Sequence, residues 1–141
     1  RDSLLLNKGE KDGIQESLPV ITSGKVLVGR IGQVFEDYSE VILISSKESS
    51  FEAKVAGQDI LGVAKGKGSL KLSLELIAKE KTVVKGDLVV SSSLGGIFPQ
   101  GLFVGEVKTV EKSDVEPFQA AEITLGFAVS DLDKLFIITG F

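Results

Sequence analysis

The chain has 141 residues, 43% of them hydrophobic, and a formal net charge of −4 with both signs mixed along its length. That is enough apolar material for one ordinary domain or two small ones, and it excludes both the composition of intrinsic disorder and the basic footprint of a nucleic-acid binder. His and Cys are absent, which removes Ser-His-Asp and Cys-His nucleophilic sites, thiolate redox chemistry and nearly all structural zinc sites. Met is absent as well, so Arg1 is expected to be no translation start and the chain a fragment or a processed product. No apolar run approaches the ~20 residues that a membrane helix needs.

In chain order, Leu4-Leu5-Leu6 is a short apolar run of strand length, and residues 7–13 carry turn chemistry ending in Asp12-Gly13. Residues 18–22 form a second strand with Pro19 near its start, where a missing N–H is tolerated. Residues 25–35 form a long strand in which Gly29 and Gly32 mark a bend or bulge. Residues 40–45 read as a buried strand, and residues 51–55 and 60–64 as two short ones. Lys65-Gly66-Lys67-Gly68 is read as a hairpin turn. A phosphate loop would need Gly, four residues, then Gly-Lys-Ser/Thr, with a helix following. Residues 70–76 show the cleanest alternation, with Leu70, Leu72, Leu74 and Leu76 on one face. Strands at 87–91, 102–112, 120–129 and 135–139 complete an all-β pattern without a 3.6-residue stripe, which favours a barrel or sandwich.

The most distinctive stretch is residues 84–107. Two strands flank a loop in which Gly86, Gly95, Gly96 and Gly101 are conformational positions, and Asp87 is a turn cap rather than a metal ligand, since one carboxylate makes no site. The loop carries Ile97 and Phe98 where loops usually carry polar side chains. They are either a plug folded into the core or, with Pro99, Leu102, Phe103 and the lone Tyr38, a surface gripped by another protein. Ser91-Ser92-Ser93 lacks a base at any recognised spacing, so a serine acyl-transfer site is not expected. No cofactor and no metal are implied.

The chain echoes itself. Val28-Gly29-Arg30-Ile31 matches Val104-Gly105-Glu106-Val107 at an offset of 76, Pro19-Val20-Ile21 matches Leu88-Val89-Val90 at 69, and Glu40-Val41-Ile42-Leu43 matches Glu122-Ile123-Thr124-Leu125 at 82. Order is kept while loop lengths drift, which implies two similar β units. The expectation is two small antiparallel barrels of six strands each, side by side, with a groove between them as the default binding surface. Residues 1–66 form the first unit and 67–141 the second, with residues 1–20 and the C-terminal strands as candidates for crossing between barrels. Gly29 and Gly105, equivalent in the echo, are read as structural. The loop around residues 95–101 is an insertion that distinguishes the second unit.

Taken together, Asn7-Lys8-Gly9, Pro19-Val20-Ile21, Leu27-Val28-Gly29-Arg30-Ile31, Lys85-Gly86-Asp87-Leu88-Val89 and above all Gly95-Gly96-Ile97-Phe98-Pro99-Gln100-Gly101 with Val104-Gly105-Glu106-Val107 resemble the rod shape-determining MreC family over the whole chain. Ser17 and Ser93 stand where the resemblance leads one to expect glycine. The resemblance implies a chymotrypsin-like double barrel without catalytic residues, lying outside the cytoplasmic membrane, in the periplasm or cell-wall space. It also implies an N-terminal anchor and coiled coil that this chain does not include. It implies a non-enzymatic scaffold of cell elongation that binds and activates a class B penicillin-binding protein, the elongation transpeptidase. Further implied partners are MreD, RodA and the actin-like MreB through the complete protein, and the chain itself as a dimer or filament, with no nucleic acid. A degenerate double-barrel hydrolase and a purely structural self-assembling module are the competing readings.

Overall fold

The computed structural model describes residues 2–140; Arg1, which opens the first expected unit, and Phe141, which closes the second, lie outside them. The described chain is all β apart from two three-residue 3-10 turns at Glu10–Asp12 and Val129–Asp131. Its strands are β1 (Ser3–Leu6), β2 (Pro19–Ile21), β3 (Leu27–Val34), β4 (Ser39–Leu43), β5 (Ser50–Val55), β6 (Leu61–Gly68), β7 (Lys71–Ala78), β8 (Leu88–Ser91), β9 (Phe103–Glu111), β10 (Phe118–Leu125) and β11 (Phe136–Ile137). They build a sheet in the order β1-β4-β3-β2-β11 and a closed barrel in the order β10-β7-β6-β5-β8-β9.

The all-β architecture, a closed six-stranded barrel beside a second sheet, matches the expected fold class, and the barrel with strands β5–β10 is taken as the second unit. The first unit is a five-stranded sheet, because β5 and β6 pair into the barrel and the chain returns from the barrel to add β11 beside β2. The strand pairings therefore change unit between β4 and β5, ahead of residue 66. The turn expected at residues 65–68 is displaced as well, because Gly66 lies inside β6. A Cβ there would collide with the carbonyl oxygen of Ser46, so this glycine serves close backbone approach inside β6. The hairpin itself turns at Ser69 and Leu70, with φ of 52° and 59°. This also breaks the alternation read over residues 70–76. Leu72 and Leu74 are buried, but Leu70 sits in the turn and Leu76 is thrown out, at φ 55°, where the β7–β10 register slips. Ile77 takes the inward place after the slip.

The echo is structural. Val20 faces Gly29 in β2–β3, and Val89 faces Gly105 in β8–β9, each followed by a register shift. Gly29 faces Leu43 across β3–β4, as Gly105 faces Leu125 across β9–β10. A Cβ on Gly29 would collide with the Ile42 carbonyl, and a Cβ on Gly105 with that of Thr124, the matching position. The bonds beyond the strands repeat too. Ile44 N donates to Val28 O at 3.0 Å, and Gly126 N donates to Val104 O at 2.9 Å. One three-strand meander thus occurs twice with the same kink.

The units share a core. Leu27, Val28, Ile31 and Ile44 of the first belong to one apolar cluster with Phe51, Leu74, Val89 and Val104 of the second. Among the described residues, backbone bonds and one carboxylate tie the units. Phe103 N donates to Lys25 O at 3.1 Å beside a parallel bridge from Val26 to Phe103, Gly68 N donates to Ser45 O at 2.8 Å, and the Asp2 carboxylate accepts from Ser45 Oγ at 2.6 Å and from Leu70 N at 2.8 Å.

Candidate functional site

The insertion loop is built on the hairpin of the first unit. There, Thr22 N donates to Val26 O, and Thr22 Oγ1 accepts from Val26 N at 3.3 Å. In the second unit, Ser91 N donates to Leu102 O, and Ser91 Oγ accepts from Leu102 N at 3.0 Å. Lys25 with φ 61° and Gly101 with φ 90° are the matching left-handed residues. Between these shared ends the second unit carries seven more residues, the difference between the offsets of 76 and 69. The Ser91 hydroxyl also donates to Pro99 O at 2.6 Å. The buried hydroxyl at the head of the serine run is therefore a clasp that shuts the loop.

The loop divides its two apolar residues. Phe98 is 2% exposed and meets Phe51 edge to face, with ring centroids 5.0 Å apart at 89°. Leu102 is buried as well. These two stand in the core, which is the plug of the two expected readings: aromatic area of this size is most stable when buried. Pro99 and Phe103 are half-buried, and Phe103 lies in the seam between the units, with Gly126 close to its ring. Ile97 remains outside, 42% exposed. Tyr38, also 42% exposed, stacks on Phe35 at 4.5 Å in the β3–β4 turn. Gly86, Gly95, Gly96 and Gly101 all hold positive φ. Asp87 accepts from Val84 N at 3.0 Å, capping the turn into β8.

Ile97 borders a groove of about 600 Å³ that crosses the junction of the units. Its floor and walls include Arg30 of β3, Glu16 and Ser17 ahead of β2, and Glu48 between β4 and β5. In the sequence Arg30 reads as a strand residue of the echo and the family motif, and Glu16 and Glu48 carry no pattern that marks them. Ser17 did carry one, since it stands where glycine was expected and holds φ 70°. Of the expected partner-facing set, only Ile97 and Phe98 line this groove, and Tyr38 lies elsewhere. Among the described residues there is no cluster of three or more Asp or Glu able to hold a metal ion. Glu75 and Asp2, both held below their ordinary values, lie outside the groove. Glu75 is lowered mainly by its contact with Lys67 and opposed by burial, and for Asp2 burial is outweighed by hydrogen bonds from Ser45, Leu70 and Ser69. The groove offers an apolar knob beside groups of both charges, which is recognition chemistry for a protein surface.

The barrel core of rod shape-determining protein MreC matches as a family over residues 1–139. The cell shape-determining protein MreC of Haemophilus influenzae is 34% identical over 119 residues, covering 84% of this chain and 34% of that protein. The Listeria monocytogenes protein is 30% identical, covering 97% and 48%. The chain thus spans about a third to a half of the length of these relatives. Among solved structures, Listeria MreC superposes with a TM-score of 0.86 at 30% identity, covering 96% of this chain and 67% of that one. Pseudomonas aeruginosa MreC gives 0.80 at 30%, covering 88% and 81%. A Helicobacter pylori MreC, solved in complex with the penicillin-binding protein PBP2, shares the fold with a TM-score of 0.70 at 22% identity, covering 84% and 74%.

Proposed function

The chain belongs to the MreC family of rod shape-determining proteins, a structural, non-enzymatic family, and on that premise we propose that it is the docking part of a cell-elongation scaffold. It binds a class B penicillin-binding protein, the transpeptidase of elongation, outside the cytoplasmic membrane, and holds it in its active arrangement. Activation of this kind requires tighter binding to the active arrangement than to the resting one. The complete protein reaches MreD, RodA and MreB through segments beyond these strands, and self-associates.

The observation that carries this reading is the junction groove with Ile97 at its rim. An exposed apolar knob beside charges, set on a loop that the first unit lacks, is the form of a hot-spot anchor. The Helicobacter complex supports the choice of partner class. The test is binding of the cognate transpeptidase to the purified chain. Saturable binding at micromolar concentration is expected, and Ile97→Asp should weaken it at least about tenfold, the size of an anchor's loss. Absence of saturable binding to the wild-type chain would overturn the proposal, and full affinity in Ile97→Asp would overturn the site.

A further inference from the structure

The junction groove holds one charge whose setting differs from the others. Arg30 is half-buried in β3, and among the described residues its guanidinium has neither an ion pair nor a hydrogen bond. The acids lining the same groove, Glu16 and Glu48, are exposed. A guanidinium offers five N–H donors in a planar fork that matches a carboxylate. Folding has already taken part of the water from Arg30, so an acceptor that reaches it pays less further desolvation. The resulting pair is also screened less than one in open solvent.

The duplicated meander shows the same position without the groove. Arg30 stands where Glu106 stands in the barrel, at the offset of 76. Pro19 faces Arg30 across β2–β3, as Leu88 faces Glu106 across β8–β9. Glu106 is exposed, whereas Arg30 is half-buried and borders the groove together with Gly96 and Ile97 of the insertion loop. One place in the fold thus carries a solvated carboxylate in one unit. In the other unit, where the insertion loop borders it, it carries a sheltered guanidinium of opposite sign.

We infer that Arg30 is the charge-reading residue of the docking groove: it receives one Asp or Glu side chain of the partner polypeptide, beside the apolar residue that meets Ile97. This rests on the docking role proposed above and adds the chemistry that selects the partner. The surroundings decide which anion fits. Glu16 at the same groove and the net charge of −4 repel a polyanion such as an anionic lipid surface. They admit an isolated carboxylate whose neighbours are neutral or basic. A small free carboxylate would leave Ile97, 42% exposed, in water, whereas a polypeptide covers the apolar knob and pairs the fork together.

The test is the affinity of the cognate transpeptidase for Arg30 variants, measured with this chain and with the complete protein, with the urea midpoint as the check on folding. Arg30→Gln should weaken binding at least about tenfold, the loss of a charge-assisted pair. Arg30→Glu should weaken it further. One transpeptidase variant, from a set that each changes one surface Asp or Glu to Lys, should restore at least about tenfold to Arg30→Glu while binding the wild-type chain more weakly. Failure of the wild-type chain to bind would overturn the docking role and this inference with it. Wild-type binding that Arg30→Gln leaves unchanged would overturn the inference alone, and so would a set in which no Lys variant restores Arg30→Glu. Two further results would overturn it by naming another occupant. Light scattering that shows self-association lost in Arg30→Gln, at unchanged transpeptidase affinity, would give the groove to a second copy. Dependence on Arg30 in this chain but not in the complete protein would give it to another segment of the same protein.

Discussion

At the scale of single residues, the insertion loop divides its two apolar side chains between the core and the surface. Phe98 fills the barrel mouth against Phe51, so Phe98→Ala removes a buried ring and leaves a cavity. A loss of about 3–5 kcal/mol in urea unfolding is expected. Ile97→Ser, one residue away and exposed, should leave stability within about 0.5 kcal/mol. Equal losses for the two would contradict the burial pattern. The twin glycines make a sharper pair. Gly29→Ala and Gly105→Ala each push a methyl into a carbonyl oxygen of the neighbouring strand, at a cost of about 1–3 kcal/mol or more. Gly24→Ala meets nothing closer than 3.9 Å and should be near neutral. That Gly29 and Gly105 were legible from sequence as equivalents follows from the need itself: only a missing Cβ permits that approach, so both copies of the meander keep it. Arg30 and Glu48 carried no such constraint, and their meeting in one groove depends on how the units pack.

At the scale of elements, what was legible was whatever a strand does locally. Alternation, turn glycines and the echo marked nearly every strand. Which sheet a strand joins is decided by non-local pairing, and β5, β6 and β11 look alike on either side of that choice. The Gly66 region shows the difficulty. A glycine needed for close approach and a glycine needed for a turn are the same letter, and only the Ser46 carbonyl above it distinguishes them. The hairpin equivalence yields a deletion that can be read out. Removing residues 92–98 leaves Ser91-Pro99-Gln100-Gly101-Leu102 in place of Thr22-Ser23-Gly24-Lys25-Val26, with Gly101 in the left-handed position of Lys25. The variant should retain the β8–β9 ladder by NMR and lose about 3–5 kcal/mol, the contribution of Phe98. Loss of the ladder would show that the insertion is needed to form the hairpin, against the equivalence.

At the scale of the whole molecule, the N-terminal strand is latched to the far barrel by one carboxylate. Asp2 lies just ahead of β1, and its acceptors reach Ser45 at the end of β4 and the β6–β7 hairpin. Burial of this carboxylate opposes its ionisation. Hydrogen bonds from the Ser45 hydroxyl and the Leu70 and Ser69 amides outweigh that, and hold Asp2 below its ordinary value of 3.8. A carboxylate whose folded value is depressed adds stability above its unfolded value, and that stability is lost as pH falls through the folded one. The gap in urea midpoint between wild type and Asp2→Asn should therefore be constant down to about pH 5, narrow below 3.8 and vanish once Asp2 is protonated in the folded chain. Exchange at the Leu70 amide should quicken over the same range relative to amides inside the barrel, because the latch is local to the junction. Glu75, also lowered but set among Lys65 and Lys67 on the barrel wall, supplies the control. Glu75→Gln should change the acid limb of the stability curve while leaving the Leu70 amide as it was. A midpoint gap for Asp2→Asn that stays constant down to pH 2 would mean that the charge of Asp2 does not hold the units together, leaving the shared core and the backbone contacts at Phe103 and Gly68 to do so.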